Sequence, residues 1–165
     1  MIINGFDFPD NLLYWFSPPS TLLWLKFEKI NEEIGFLKIG LPELIVHKLK
    51  TIHTLSFRSE NLKLRKNGPF CQILTKNQIF KFTSPVSGRF SVNKTVEANP
   101  NGLKEQPFET FLISIPEFQK EELQSAGICS SKQLNPIIQN IIRKKIFDEC
   151  KNCPDLLKSA VRRRI

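Results

Sequence analysis

A chain of 165 residues, 41% hydrophobic and 24% charged, has the balance of one soluble globular domain, or one domain with a tail. Roughly two-thirds of its unfolded surface would be buried on folding, so neither a disulfide nor a metal is needed to hold a core. The formal charge is +8, and from Arg143 to Ile165 eight basic and three acidic side chains leave +5. That balance suits an acidic protein partner, or a solvated terminal helix with a basic end.

Membrane insertion is disfavoured because no apolar run reaches the ~20 residues of a span. The opening MIINGFDFPDN has no basic start and carries early acids, so it does not read as a secretory signal. A cytoplasmic protein with no membrane partner is expected.

An aromatic and leucine-rich segment opens the chain and leads through the turn material Ser17-Pro18-Pro19-Ser20 into LLWLKFE, a strand. Asn31-Glu32-Glu33 is a polar turn, and Ile34 to Ile39 returns as the second strand of a hairpin. Leu41 to Lys48 suits one or two helical turns with Pro42 near the start. From His47 to Phe57 the residues alternate, and a strand there puts Leu49, Thr51, His53, Leu55 and Phe57 on one face. His53 then falls among apolar neighbours as a core histidine, and His47 lies near the strand edge.

Ser59 to Gly68 is a polar, basic loop closed by the turn signal Asn67-Gly68. Phe70 to Leu74 and Ile79 to Phe82 are short apolar runs divided by Thr75-Lys76-Asn77-Gln78, a tight hairpin. Arg89 to Val92 is a further strand, Glu97 to Pro107 a loop, and Phe111 to Ile115 a closing strand. Short strands with regular turns indicate an all-β sandwich or barrel. From Ser131 the pattern changes to Leu134, Ile137, Ile138, Ile141, Ile142 and Ile146. This is an amphipathic helix, with Ser130 or Ser131 as N-cap and Pro136 in its first turns.

Chemistry-bearing motifs are few. No Ser/His/Asp set, paired carboxylates or Gly-rich phosphate loop is present, so no enzyme acting alone is indicated. Cys150-Lys151-Asn152-Cys153 is a lone CxxC with no second pair and no histidine at finger spacing. Free thiols, a disulfide or redox pair, and a metal pair all remain open for Cys150 and Cys153. The basic residues from Leu62 to Lys66 alternate with leucine, not with aromatics, so nucleic-acid binding has only net charge behind it.

The stretch PFCQILTKNQIFKFTSPVSGRFSVN is similar to the lipoyl hairpin of the glycine cleavage system H proteins. The opening INGFDFPDNLLYW resembles the H-like lipoate-binding proteins of sulfur-oxidising, heterodisulfide-reductase-like systems. Trp24-Leu25-Lys26 and Ile39-Gly40-Leu41 stand where the family has W-[VL]-[RK] and V-G-I. Val92-Asn93, Asn99-Pro100, Leu103, Glu105 and Pro107 follow the family order after PVSG, and the match covers about residues 3–128.

The resemblance implies a mainly β fold, a lipoyl/biotinyl-type hybrid barrel-sandwich, followed by a C-terminal α-helical segment. Residues 1–128 would form the H-like domain and residues 129–165 a terminal helix with a basic tail. It also implies a non-catalytic carrier whose partners are glycine-cleavage-like or lipoate-handling proteins.

In the family, lipoate is joined by an amide to a lysine eight residues before the PVSG proline. Counting back from Pro85 gives Asn77, and Lys76 is one place away. Asparagine has no nucleophilic amine and cannot take that bond. Within a strand, a one-residue shift would turn Lys76 to the opposite face. As an ordinary turn residue, Asn77 is suited to positive φ. Three further family positions differ: Leu22 stands for a histidine, Leu74 for a glutamate and Lys50 for a glycine. The expectation is an H-like protein not lipoylated at Asn77 and acting by docking. The alternatives are a carrier modified on Lys76 and a binding module that uses the basic tail.

Overall fold

Two β-sheets, of five and three strands, face one another across a shared core, and a small two-stranded sheet and short helices close the ends. The computed structural model describes residues 1–17, 21–124 and 127–140. Pro18, Pro19 and Ser20, the later helix positions Ile141, Ile142 and Ile146, and Cys150, Cys153 and the basic tail lie outside the described residues.

β1 (Ile2–Ile3) and β2 (Phe6–Asp7) form the small sheet. β3 (Leu13–Ser17), β4 (Thr21–Lys29), β5 (Ile34–Gly40), β9 (Ser91–Val92) and β10 (Phe111–Gln119) make the larger sheet in the order β3-β4-β5-β10-β9. β6 (Ile52–Phe57), β7 (Pro69–Thr75) and β8 (Ile79–Thr83) make the other. Alternation sets the faces: Leu37 and Ile39 of β5 are buried while Phe36, one residue before Leu37, is exposed. The first half of β4 breaks that rule, with Thr21 to Leu25 all buried. Its second face is covered, since Trp24 donates its indole N–H to the carbonyl of Pro107 at 2.9 Å. Trp24 lies opposite Gly40 in the ladder, where an added Cβ would sit 2.3 Å from the indole ring.

The β4–β5 hairpin forms as its sequence suggests, with Asn31 Oδ1 accepting from Glu33 and Ile34 N–H groups in the turn. α1 (Glu43–Leu49) follows Pro42, its Leu44, Ile45, Val46 and Leu49 buried. This corrects the long alternating strand: Leu49 belongs to a helix, and β6 starts only at Ile52. A register shift between Ile52 and Thr54 resets the faces, so His53 is exposed and not a core histidine. His47 is also exposed, its ring 5.3 Å from that of Phe6.

Lys50 ends α1 at φ 58°, ψ −100°, a conformation that favours glycine. The side chain is exposed, so its removal loses little packing. Relief of backbone strain, ~1–3 kcal/mol, outweighs the ~0.5–1 kcal/mol entropic cost of glycine. Lys50→Gly is expected to raise the stability read by urea unfolding by about 1 kcal/mol. A lower midpoint would show that Lys50 holds its place by contacts stronger than the strain.

The expected loop from Glu97 to Pro107 begins within one short helix, α2 (Lys94–Ala98), and holds a second, α3 (Gly102–Glu105). Asn93 caps α2, its Oδ1 accepting from Thr95 N–H at 3.1 Å while its Nδ2 donates to Phe111 O at 2.8 Å. β10 outruns its expected end: it continues through Pro116 by means of an irregularity between Ile115 and Phe118, with Glu117 at φ 55°. A 3₁₀ turn, Lys120–Gln124, follows.

The terminal helix α4 is described over 131–140. Ser130 is its N-cap in a reciprocal box with Gln133: Ser130 N–H donates to Gln133 Oε1 at 2.9 Å and Gln133 N–H to Ser130 Oγ at 3.4 Å. Leu134 and Ile138 are fully buried, so this helix closes the same core. Ser131 instead donates its hydroxyl to Asp10 Oδ1 at 2.5 Å, and that bond is the largest of the causes holding the Asp10 carboxyl below its ordinary value of 3.8. A depressed carboxyl stabilises the fold above its unfolded pKa and loses that contribution as pH falls through its folded value. Ser131→Ala is expected to move the Asp10 titration up toward 3.8, measured by carboxyl-carbon NMR. An unmoved titration would mean the hydroxyl is not its main partner.

Candidate functional site

β7 and β8 form the hairpin that carries the tip, paired as Cys71↔Phe82, Gln72↔Lys81, Ile73↔Phe80 and Leu74↔Ile79. Inward residues Cys71, Ile73 and Phe82 are buried, and burial pushes the Cys71 thiol far above its ordinary range, so it is an inert core residue. The turn is closed by Thr75: its N–H donates to Gln78 O at 2.9 Å, its hydroxyl donates to that same oxygen at 3.2 Å, and its Oγ1 accepts from Gln78 N–H at 3.2 Å. Lys76 and Asn77 are left as the two loop residues, both exposed.

This arrangement has two consequences. Strand alternation does not separate Lys76 from Asn77, because neither lies in the ladder. Asn77 also lacks the positive φ expected for it; among the described non-glycine residues that conformation occurs at Asn4, Lys50, Asn67 and Glu117.

The PVSG stretch fixes the base of the hairpin. Buried Ser84 donates its hydroxyl to Val86 O at 2.6 Å and accepts from Val86 N–H at 3.2 Å, holding Pro85 between them. Gly88, at φ 145°, exchanges backbone hydrogen bonds with Leu64 at 2.8 and 3.1 Å. Ser87 Oγ accepts from Lys66 N–H at 3.0 Å. The basic loop after β6 is thereby tied to the barrel beside the hairpin. The motif residues Asn93, Leu103 and Pro107 are likewise structural: a cap, a buried anchor and the acceptor for Trp24.

The Asn77 side chain offers an amide and no amine, so it cannot form an amide bond with a carboxylic acid such as lipoate. Leu22 is 1% exposed and belongs to the core. Leu74 is 39% exposed and pairs with Ile79, 57% exposed, on the outer face behind the tip. Sequence reasoning missed this apolar pair, because only the strand register brings Leu74 and Ile79 together.

Elsewhere a groove of about 450 Å³ is bounded by Trp24, Phe108, Phe111, Lys26, Glu28 and Lys38. Its Glu28 pairs with Lys38 at 3.2 Å and Lys26 at 3.8 Å, so these charges compensate one another. Among the described residues no three His, Cys, Asp or Glu side chains cluster as a metal site, and no helix is long and apolar enough to cross a membrane.

Comparison with known proteins agrees with this geometry. The family model for the glycine cleavage H-protein matches residues 20–141. A probable glycine cleavage system H protein 3 of Saccharolobus solfataricus is 28% identical over 116 residues, 70% of this chain and 78% of that protein. A glycine cleavage system H protein of Prochlorococcus marinus is 33% identical over 104 residues, 62% of this chain and 74% of that protein. The crystal structure of a glycine cleavage system H protein from Mycobacterium marinum superposes with a TM-score of 0.60 at 13% identity, covering 76% of this chain and 94% of that one, and shares the barrel-sandwich fold. By its fold, by its PVSG-anchored hairpin and by the family model across most of its length, the chain belongs to the glycine cleavage H-protein family.

Proposed function

We propose that this chain is a glycine cleavage H-like protein of the carrier class that carries no lipoate at the usual position and works by docking to other proteins. One observation supports the reading: the tip is built and exposed, and Asn77, which the resemblance sets at the anchor position, carries no amine. The partners implied by family membership are glycine-cleavage-like or lipoate-handling proteins, met in the cytoplasm, and the chain itself is not catalytic. Residues 1–128 act as the H-like unit, with 129–165 as the terminal helix and basic tail.

A second reading has its own support. Lys76 shares the two-residue loop with Asn77, is exposed, and carries a primary amine. A ligase that tolerates the shift would make Lys76 the lipoyl anchor.

Intact mass spectrometry of the full chain from its native host, with peptide mapping across residues 70–89, separates the two. An unmodified mass agrees with the docking reading, and one lipoyl group on Lys76 replaces it with the second. A pull-down with and without residues 148–165 then separates inherited docking from binding through the tail. The thiols Cys150 and Cys153 lie in the removed segment, so capture under reducing and oxidising conditions also reports on any pairing between them.

A further inference from the structure

The charge of the described residues is segregated. Residues 51–89, which hold β6, β7, β8 and their basic loop, contain seven Lys and Arg and one acid, Glu60, for a net +6. All other described residues together contain nine Lys and Arg against twelve Asp and Glu, a net −3. The single carboxylate of the basic region is not available to it: Glu60 accepts from Val92 N–H at 2.6 Å and pairs with Lys94 at 3.1 Å, outside the region. Lys63, Arg65, Lys66, Lys76, Lys81 and Arg89 are exposed and enter none of the ion pairs among the described residues.

The same region presents an apolar strip. Outward positions of the three-stranded sheet form two cross-strand rows, Thr54–Leu74–Ile79 and Ser56–Gln72–Lys81, all exposed. Leu74 and Ile79 therefore form the row next to the exposed Lys76–Asn77 tip, with Lys81 in the row behind it. Leu62, 50% exposed, lies on the adjoining loop.

Resting on the docking reading above, we propose that the outer face of β6-β7-β8 is the docking surface, and that its occupant is a protein whose binding surface is acidic around an aliphatic pocket. The charge pattern supplies steering and register, and Leu74 and Ile79 supply the desolvated centre. A single-stranded nucleic acid would instead use aromatic platforms for its bases, and none of the six outward positions is aromatic. The sign of the face matters as much as its size, because a neutral apolar strip alone would not choose among partners.

The test places a photo-crosslinking residue at Gln72, and in a second protein at Glu32 on the β4–β5 turn, in the full chain expressed in its native host. The expected result is a protein linked from Gln72 and not from Glu32, with the linked peptide rich in Asp and Glu. Either Lys76→Glu/Lys81→Glu or Leu74→Ser/Ile79→Ser should cut the link roughly tenfold. Both pairs are exposed, so far-UV circular dichroism should stay unchanged.

A linked peptide without acids, a ribonuclease-sensitive link, or a link to a second copy of this chain overturns the acidic-protein assignment. A protein linked from Glu32 alone overturns the face while leaving docking in place. A link from neither position, with no tail-dependent capture, removes the docking reading as well.

Discussion

Asn77→Lys is expected to turn an unmodified chain into one that gains a single lipoyl group at residue 77 when made beside a lipoate ligase. The fold should accept the change. The turn is held by the Thr75 hydroxyl and by backbone atoms of Thr75 and Gln78, and Asn77 is exposed and contributes no hydrogen bond to it. Exposed substitutions of this kind cost within about 0.5 kcal/mol, so any change in modification reports on chemistry and not on folding. The parent chain and Lys76→Arg should both stay unmodified, and peptide mapping should find the group on residue 77 even though Lys76 is adjacent. Lipoylation of the parent on Lys76, lost in Lys76→Arg, would replace the anchorless reading with a shifted anchor. If Asn77→Lys is not modified, the next variant is Leu74→Glu/Asn77→Lys, since the sequence resemblance sets Leu74 at the place of a family glutamate. Gain of the group only in the double variant would show that the tip has lost recognition as well as attachment.

The parts of this molecule that could be read from one dimension are those whose signal is local. The β7–β8 hairpin was legible from two apolar runs around a four-residue polar turn, and counting back from Pro85 placed Asn77 at its tip. The helix after Ser130 was legible because Leu134 and Ile138 repeat at helical spacing, whereas the Gln133 half of its capping box was not read. What failed depended on non-local effects. The register shift between Ile52 and Thr54 sends His53 outward, and no alternation pattern reveals where a partner strand will bulge. α2 and α3 are too short to show a period, so a stretch with prolines and a glycine read as loop. The closing strand was expected over Phe111 to Ile115, yet the irregularity between Ile115 and Phe118 lets it run to Gln119.

Charge was read only where it was densest along the chain. The terminal +5 stands out along the chain, while the +6 of residues 51–89 became meaningful once the strands they hold proved to form one sheet. The pairing of Leu74 with Ile79 needed the ladder in the same way.

Trp24→Leu is expected to cost about 3 kcal/mol or more in urea unfolding, among the largest effects of any single change here. The ring is 1% exposed, so its loss leaves a cavity, and Pro107 O loses the donor that covers the loop after α3. Gly40→Ala should be costly as well, ~1–3 kcal/mol from overpacking, for a reason that lies in the same ring. Gly40 does not have a positive φ, so alanine meets no backbone penalty there. The penalty comes from a Cβ placed 2.3 Å from Trp24 Cζ2 and 2.4 Å from Trp24 Cε2. The two effects should therefore not add. In the Trp24→Leu background the clash is gone, and Gly40→Ala should become nearly neutral or stabilising by a few tenths of a kcal/mol through the unfolded chain. A double-mutant cycle would then return a coupling of about 1–3 kcal/mol. Simple additivity would show that Gly40 is constrained by something other than the indole. The cycle also bears on function, because β4 and β5 meet at this pair and Pro107 ends the segment that packs over them.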